Sequence, residues 1–143
     1  MRLDTLDTPA EERGTYPIQI KFYDETKTLV APDTAVWSLS TMDGQIINSR
    51  QTVTIDSPTN TEVITLSDED LIILDKERAF EHRVLTIQAT YTSNTLGAGL
   101  PLNKAVSFKI RNLGLIDRDL FIGLYVPMAD PIWITEDIGV TIS

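Results

Sequence analysis

Hydrophobic residues recur along this chain mostly at every second position, and that period predicts β-strands. Ile18, Ile20 and Phe22 fall on one side against Gln19, Lys21 and Tyr23, the alternation of a half-buried strand. Ala35, Trp37 and Leu39 repeat it against Val36, Ser38 and Ser40, which directs Trp37 inward. Ile64 and Leu66 are the inward residues of a strand over 62–66. Leu85, Ile87, Ala89 and Tyr91 make the clearest stripe, and Val106, Phe108 and Ile110 alternate with Ser107, Lys109 and Arg111. Turn chemistry separates these runs. Asp24 to Lys27 reads as a turn, and Met42-Asp43-Gly44-Gln45 reads as a tight one because Asp-Gly supplies the positive φ of hairpins. Ile46 and Ile47 then open a return strand that Val53 and Ile55 continue. Thr92 to Gly99 reads as a long flexible connection, the large tip of a hairpin.

One stretch departs from period two. Ser67-Asp68-Glu69-Asp70 has the form of a helix start, with Ser67 as cap, Asp70 at the reciprocal capping position and acids at the positive end. Leu71, Ile72 and Leu74 are expected to press that short helical turn across one end of the fold. Short strands, frequent turns and the lack of crossover helices predict an all-β protein, an immunoglobulin-like antiparallel β-sandwich with one short helical turn over 15–113. Residues 1–14, polar and acidic with Pro9 and Gly14, are expected as an N-terminal arm that is either mobile or orders on a partner.

The character changes after Leu113-Gly114. Leu120, Phe121, Ile122, Leu124, Tyr125 and Val126 would occupy both faces of one strand, and such a strand must be covered on both sides. Pro127 and Pro131 then bracket a break, Ile132-Trp133-Ile134 follows, and Ile138, Val140 and Ile142 alternate to the end of the sequence. Two readings of 114–143 stay open. The segment adds one or two strands to the same sandwich, or it is an extended apolar arm that adds to a neighbour's sheet or groove.

Size and charge narrow the function. A chain of 143 residues has the length of one domain. No apolar run approaches the roughly 20 residues that span a bilayer, and the first residues lack the apolar core of a signal peptide. A cytoplasmic origin is therefore expected. The absence of cysteine removes disulfides, thiolate metal sites and a cysteine nucleophile together. A net charge of −9 repels phosphate backbones, so nucleic acid is not expected as a partner.

Candidate chemistry is sparse. His82 is the single histidine and reads as a surface side chain at a strand edge, with no nucleophile elbow to serve. Gly97-Ala98-Gly99 lacks the lysine and helix of a phosphate loop. Leu74-Asp75-Lys76-Glu77 is similar to the cadherin Leu-Asp-Arg-Glu signature without its companion motifs, so Asp68, Asp70, Asp75 and Glu77 read as capping or solvated acids rather than calcium ligands. No catalytic, cofactor or metal site is expected.

The runs from Val63 through Ser67 to Leu71, from Arg83 through Ile87 to Tyr91, and from Leu100-Pro101-Leu102 through Phe108 to Leu113 resemble small Ig-like virion proteins of tailed bacteriophages. The likeness covers 15–113 and lies in strand pattern and loop type. It implies a structural component of the virion, made in the bacterial host cytoplasm: a capsid decoration or head/neck accessory protein, a homo-oligomer or lattice-bound, with capsid, neck or tail proteins as partners and no membrane. Within that reading Phe121, Leu124, Tyr125, Val126, Trp133 and Ile134 are the partner-binding candidates, since aromatic anchors dominate interfaces. A tail, baseplate or fibre-associated module binding a receptor or carbohydrate is the alternative, with Tyr23, Tyr125 and Trp133 as its loose candidates. An acid-paired hydrolase ranks last.

Overall fold

The computed structural model describes residues 4–113 and the backbone of 134–139. Its order is β1 (Asp4–Thr5), β2 (Ala10–Glu11), β3 (Thr15–Tyr23), β4 (Thr34–Ser40), β5 (Val53–Thr54), β6 (Thr61–Ser67), a 3-10 turn (Asp68–Leu71), β7 (Phe80–Ser93), β8 (Gly97–Arg111) and β9 (Ile134–Gly139). The larger sheet runs β1-β8-β7-β4-β5 with β2 also on β8, and the smaller runs β6-β3-β9. The protein is all-β, as the period-two pattern requires.

The core lies between the sheets and takes the residues that alternation points inward. Ile18, Ile20 and Phe22 of β3, Ala35, Trp37 and Leu39 of β4, Leu85, Ile87, Ala89 and Tyr91 of β7, and Val106, Phe108 and Ile110 of β8 are all buried in one cluster. Tyr16 and Phe108 meet across it with ring centroids 4.9 Å apart. Pro17 sits opposite Thr65, where the ladder asks no amide of it: Phe22 N–H donates to Asn60 O at 3.0 Å, and counting back by twos leaves position 17 between bonded pairs.

Several expectations change. Residues 4–14 do not stand off as an arm: β1 and β2 pair in parallel with β8, and Leu6 and Ala10 are buried. The Tyr16 hydroxyl donates to Thr8 O at 2.5 Å, tying the segment down further. The return strand at Ile46-Ile47 does not form, because Asn48, Ser49 and Thr52 all adopt positive φ; only Val53–Thr54 pairs regularly with β4. The long hairpin tip shrinks to residues 94–96, since β7 and β8 continue to a Ser93–Gly97 pair and Gly97 takes φ 104°. The helical turn ends at Leu71, and Ile72 is already extended at φ −80°, ψ 149°. Leu71 is buried as the helical turn requires, but the extended step that follows buries Ile73, half-buries Ile72 and leaves Leu74 exposed, where a helical turn would have pressed Leu74 inward.

Candidate functional site

β8 leaves the sheet, and β3 enters, at the same end of the molecule, and most of the buried charge gathers there. The register of β7 carries its inward row past Leu85 to Arg83 and Glu81. Arg83 is 2% exposed and Glu81 9%. One Glu81 oxygen accepts from Arg83 Nη2 at 2.7 Å and from Leu74 N–H at 2.8 Å, and the other accepts from Asp75 N–H at 2.9 Å. Arg83 also donates to Ile72 O at 2.9 Å. The pair therefore clamps residues 72–75 against β7.

Asp70 fastens the preceding turn. Its oxygens accept from Asn48 at 2.9 Å, from Arg50 Nε at 2.8 Å and from Ser67 N–H at 3.1 Å, the last being the reciprocal half of a capping box. Arg50 in turn lies over Trp37, 5.7 Å from the ring. Further ion pairs finish this end: Arg13 to Asp68 and Glu69 in the open, Lys76 to the half-buried Glu12, and Arg111 to Glu11, both half-buried. Asp75 accepts from Glu77 N–H at 3.0 Å and from Arg78 Nε at 3.3 Å. Asp68, Asp70 and Asp75, three of the four acids weighed as calcium ligands, thus have separate local partners, and no group of three or more His, Asp or Glu gathers for a metal among the described residues.

Burial pushes the Asp70 carboxyl up, but Arg50, Asn48 and the Ser67 amide outweigh it and hold the group below the usual aspartate range. Burial likewise raises Glu81, and the Leu74 amide, Arg83 and the Asp75 amide pull it below its ordinary value. A carboxyl depressed in the folded state adds stability that is fully present above its unfolded pKa of about 4, and lost as pH falls through the lower folded value. The urea midpoint should accordingly stay level from about pH 7 to 5 and drop below about pH 4. Asp70→Asn should lower the plateau and flatten part of the acid limb; an unchanged limb would mean Asp70 does not stabilise the fold through its charge.

Asn112 is the other member of this end that the sequence pattern did not mark. It is 3% exposed. Its side-chain amide donates to Lys76 O at 3.1 Å and Arg78 O at 2.9 Å, and its N–H donates to Ala79 O at 2.8 Å. The chain is therefore pinned just before Leu113. It is described again at β9, which pairs in parallel with β3 from Ile18↔Ile134 to Tyr23↔Gly139. Of the partner-binding candidates, the backbone of Ile134 begins β9; Phe121, Leu124, Tyr125, Val126 and Trp133 lie outside the described residues. His82 is exposed and Tyr23 half-buried, and they stand in different sheets. A shallow groove of about 520 Å³ runs beside β4 and β5, flanked by Asp33 and Asp56; its Asp33 is already taken by the Thr92 hydroxyl at 2.6 Å.

No protein family, characterised protein or solved structure matches the chain.

Proposed function

We propose that this chain is an immunoglobulin-like β-sandwich module that serves as a non-enzymatic structural component of a bacteriophage particle, docking onto its neighbours through the C-terminal segment. The observation that carries the reading is the placement of that segment's two ends. Asn112 is fixed beside 76–79, and Ile134 pairs beside Ile18, near the start of β3. Glu11, four residues before β3, is itself paired with Arg111 at the end of β8, so both anchor points belong to one end of the fold. Crossing from one sheet to the other spans ~10 Å, a distance that three or four extended residues cover at roughly 3.3 Å each. The sequence places twenty there, residues 114–133, most of them apolar and three of them aromatic. Chain length beyond what the connection needs, rooted at a stiffened end and rich in Phe121, Leu124, Tyr125, Val126 and Trp133, suits a docking element. A repeated lattice would multiply one modest contact of this kind.

The placement of the polar groups agrees with a structural role. Glu81, Arg83 and Asn112 hold distant backbone groups, Asp70 ties the Asn48 and Arg50 side chains to the Ser67 amide, and Glu25 accepts from the Tyr91 hydroxyl at 3.0 Å and from the Ser93 hydroxyl at the opposite end. The test keeps β9 and changes only the segment. With Phe121, Leu124, Tyr125, Val126 and Trp133 replaced by serine, the full chain should remain folded and vanish from purified particles assembled with it, as read by mass spectrometry. Wild-type incorporation of that variant would overturn the docking role.

A further inference from the structure

The two sheets treat their edges differently. In the larger sheet the outer edge of β4 is closed by irregular chain: Leu39 N–H donates to Arg50 O at 2.8 Å, Ile47 N–H to Leu39 O at 2.9 Å, and Ile55 N–H to Ala35 O at 2.9 Å. The opposite edge is broken into the two-residue β1 and β2 with Pro9 between them. Bulges, short strands and proline are the ordinary protections of an edge. β6 has none of them. It is a regular seven-residue strand, Thr-Glu-Val-Ile-Thr-Leu-Ser, paired with β3 along its whole length and, among the described residues, with nothing on its other side.

We propose that β6 is a self-association edge whose partner is the β6 of a second copy of this chain. The register decides which groups it offers. The Phe22–Asn60 bond makes positions 60, 62, 64 and 66 the bonded partners of β3, so the backbone N–H and C=O of Val63 and Thr65 point outward, away from β3. Val63, 41% exposed, and the exposed Thr65 also present the small β-formers favoured on a pairing strand. An antiparallel pair about a two-fold axis at Ile64 places Val63 opposite the second copy's Thr65, and each outward group then finds its complement. The strand's one charge does not obstruct this register. Glu62 would face Leu66 of the second copy rather than its own counterpart, and its carboxylate is turned back onto Thr59, accepting from N–H at 2.6 Å and from the hydroxyl at 2.8 Å. Such an edge buries little area and gives a weak dimer. Two copies at −9 each also repel, so salt, which screens over about 10 Å at 0.1 M, should strengthen the association.

Sedimentation of the full chain across concentration and salt tests the proposal. Wild type should show a concentration-dependent dimer that tightens as salt rises. Val63→Lys should weaken it by about tenfold or more, although the added positive charge lowers the net repulsion. Thr65→Pro removes an outward donor without touching the β3 ladder and should do the same. Circular dichroism and the thermal midpoint of Val63→Lys should match wild type, since the site is exposed. A wild-type chain that stays monomeric at all concentrations, or a Val63→Lys dimer as tight as wild type, overturns the proposal. The particle-docking role is separable: the serine variant of 121–133 should dimerise normally, and a dimer lost there but kept in Val63→Lys would assign self-association to the C-terminal segment instead.

Discussion

Glu81→Ala should lower the unfolding free energy by about 3–5 kcal/mol, as expected when one member of a buried ion pair is removed. The substitution does three things at once. It strands the Arg83 guanidinium, 2% exposed, without its counter-charge. It leaves the Leu74 and Asp75 amides without the acceptors they now have at 2.8 and 2.9 Å. It also worsens a position already short of partners, because Arg83 Nε has none among the described residues. Each uncompensated buried group costs about 1–3 kcal/mol, more where it is charged. Glu81→Gln keeps one acceptor oxygen and should cost less. The double replacement Glu81→Met with Arg83→Met removes both charges and fills their volume, so it should recover much of the loss, leaving mainly the two unmatched amides. Urea denaturation would show the effect as a shifted midpoint at constant slope. A Glu81→Ala loss under about 1 kcal/mol would mean that water reaches the pair and that it does not clamp 72–75.

That clamp is also where the sequence was half legible. The inward stripe read from the sequence stopped at Leu85, although the same period continues to Arg83 and Glu81. Their charge argued for solvent, and only the carbonyl of Ile72 and the amides of Leu74 and Asp75 show why the fold accepts them. Residues 71–74 failed for a related reason. Four apolar residues in a row fit a helical turn as well as an extended step, and the choice fell to the Asp70 bonds with Asn48 and Arg50, partners about twenty positions away. At Ile46-Ile47 the β-branched pair favoured a strand, and the left-handed Asn48 and Ser49 that follow overrode it. Residues 4–14 are polar by composition, yet pairing with β8 costs no hydrophobicity, since a parallel ladder is made of backbone. Of the docking candidates, Ile134 alone enters the described chain, through the backbone of β9.

Phe108→Ala is expected to cost about 3–5 kcal/mol, the range for emptying a buried aromatic site. Phe108 belongs to the larger sheet and is fully buried, and its tilted contact with Tyr16 joins it to the smaller sheet. The cavity would open between the sheets, where neither can close it without moving the other. Tyr16 also loses an aromatic contact worth roughly 0.5–1.5 kcal/mol beyond its area. Burial already pushes the Tyr16 phenol well above its ordinary pKa, so water entering the cavity should bring its titration down, and the tyrosinate absorbance in alkali gives a second readout. Phe80→Ala is the control. Phe80 stands on the neighbouring strand, 42% exposed, with the Lys109 ammonium 5.5 Å from its ring. A screened, half-open contact of that kind is worth no more than about 1 kcal/mol. If the two phenylalanines proved equally costly, burial between the sheets could not be what sets the cost, and the shared core would have to be abandoned as the main source of stability. A large cost at Phe108 with little at Phe80 locates that stability between the sheets, in the rows that period two laid down.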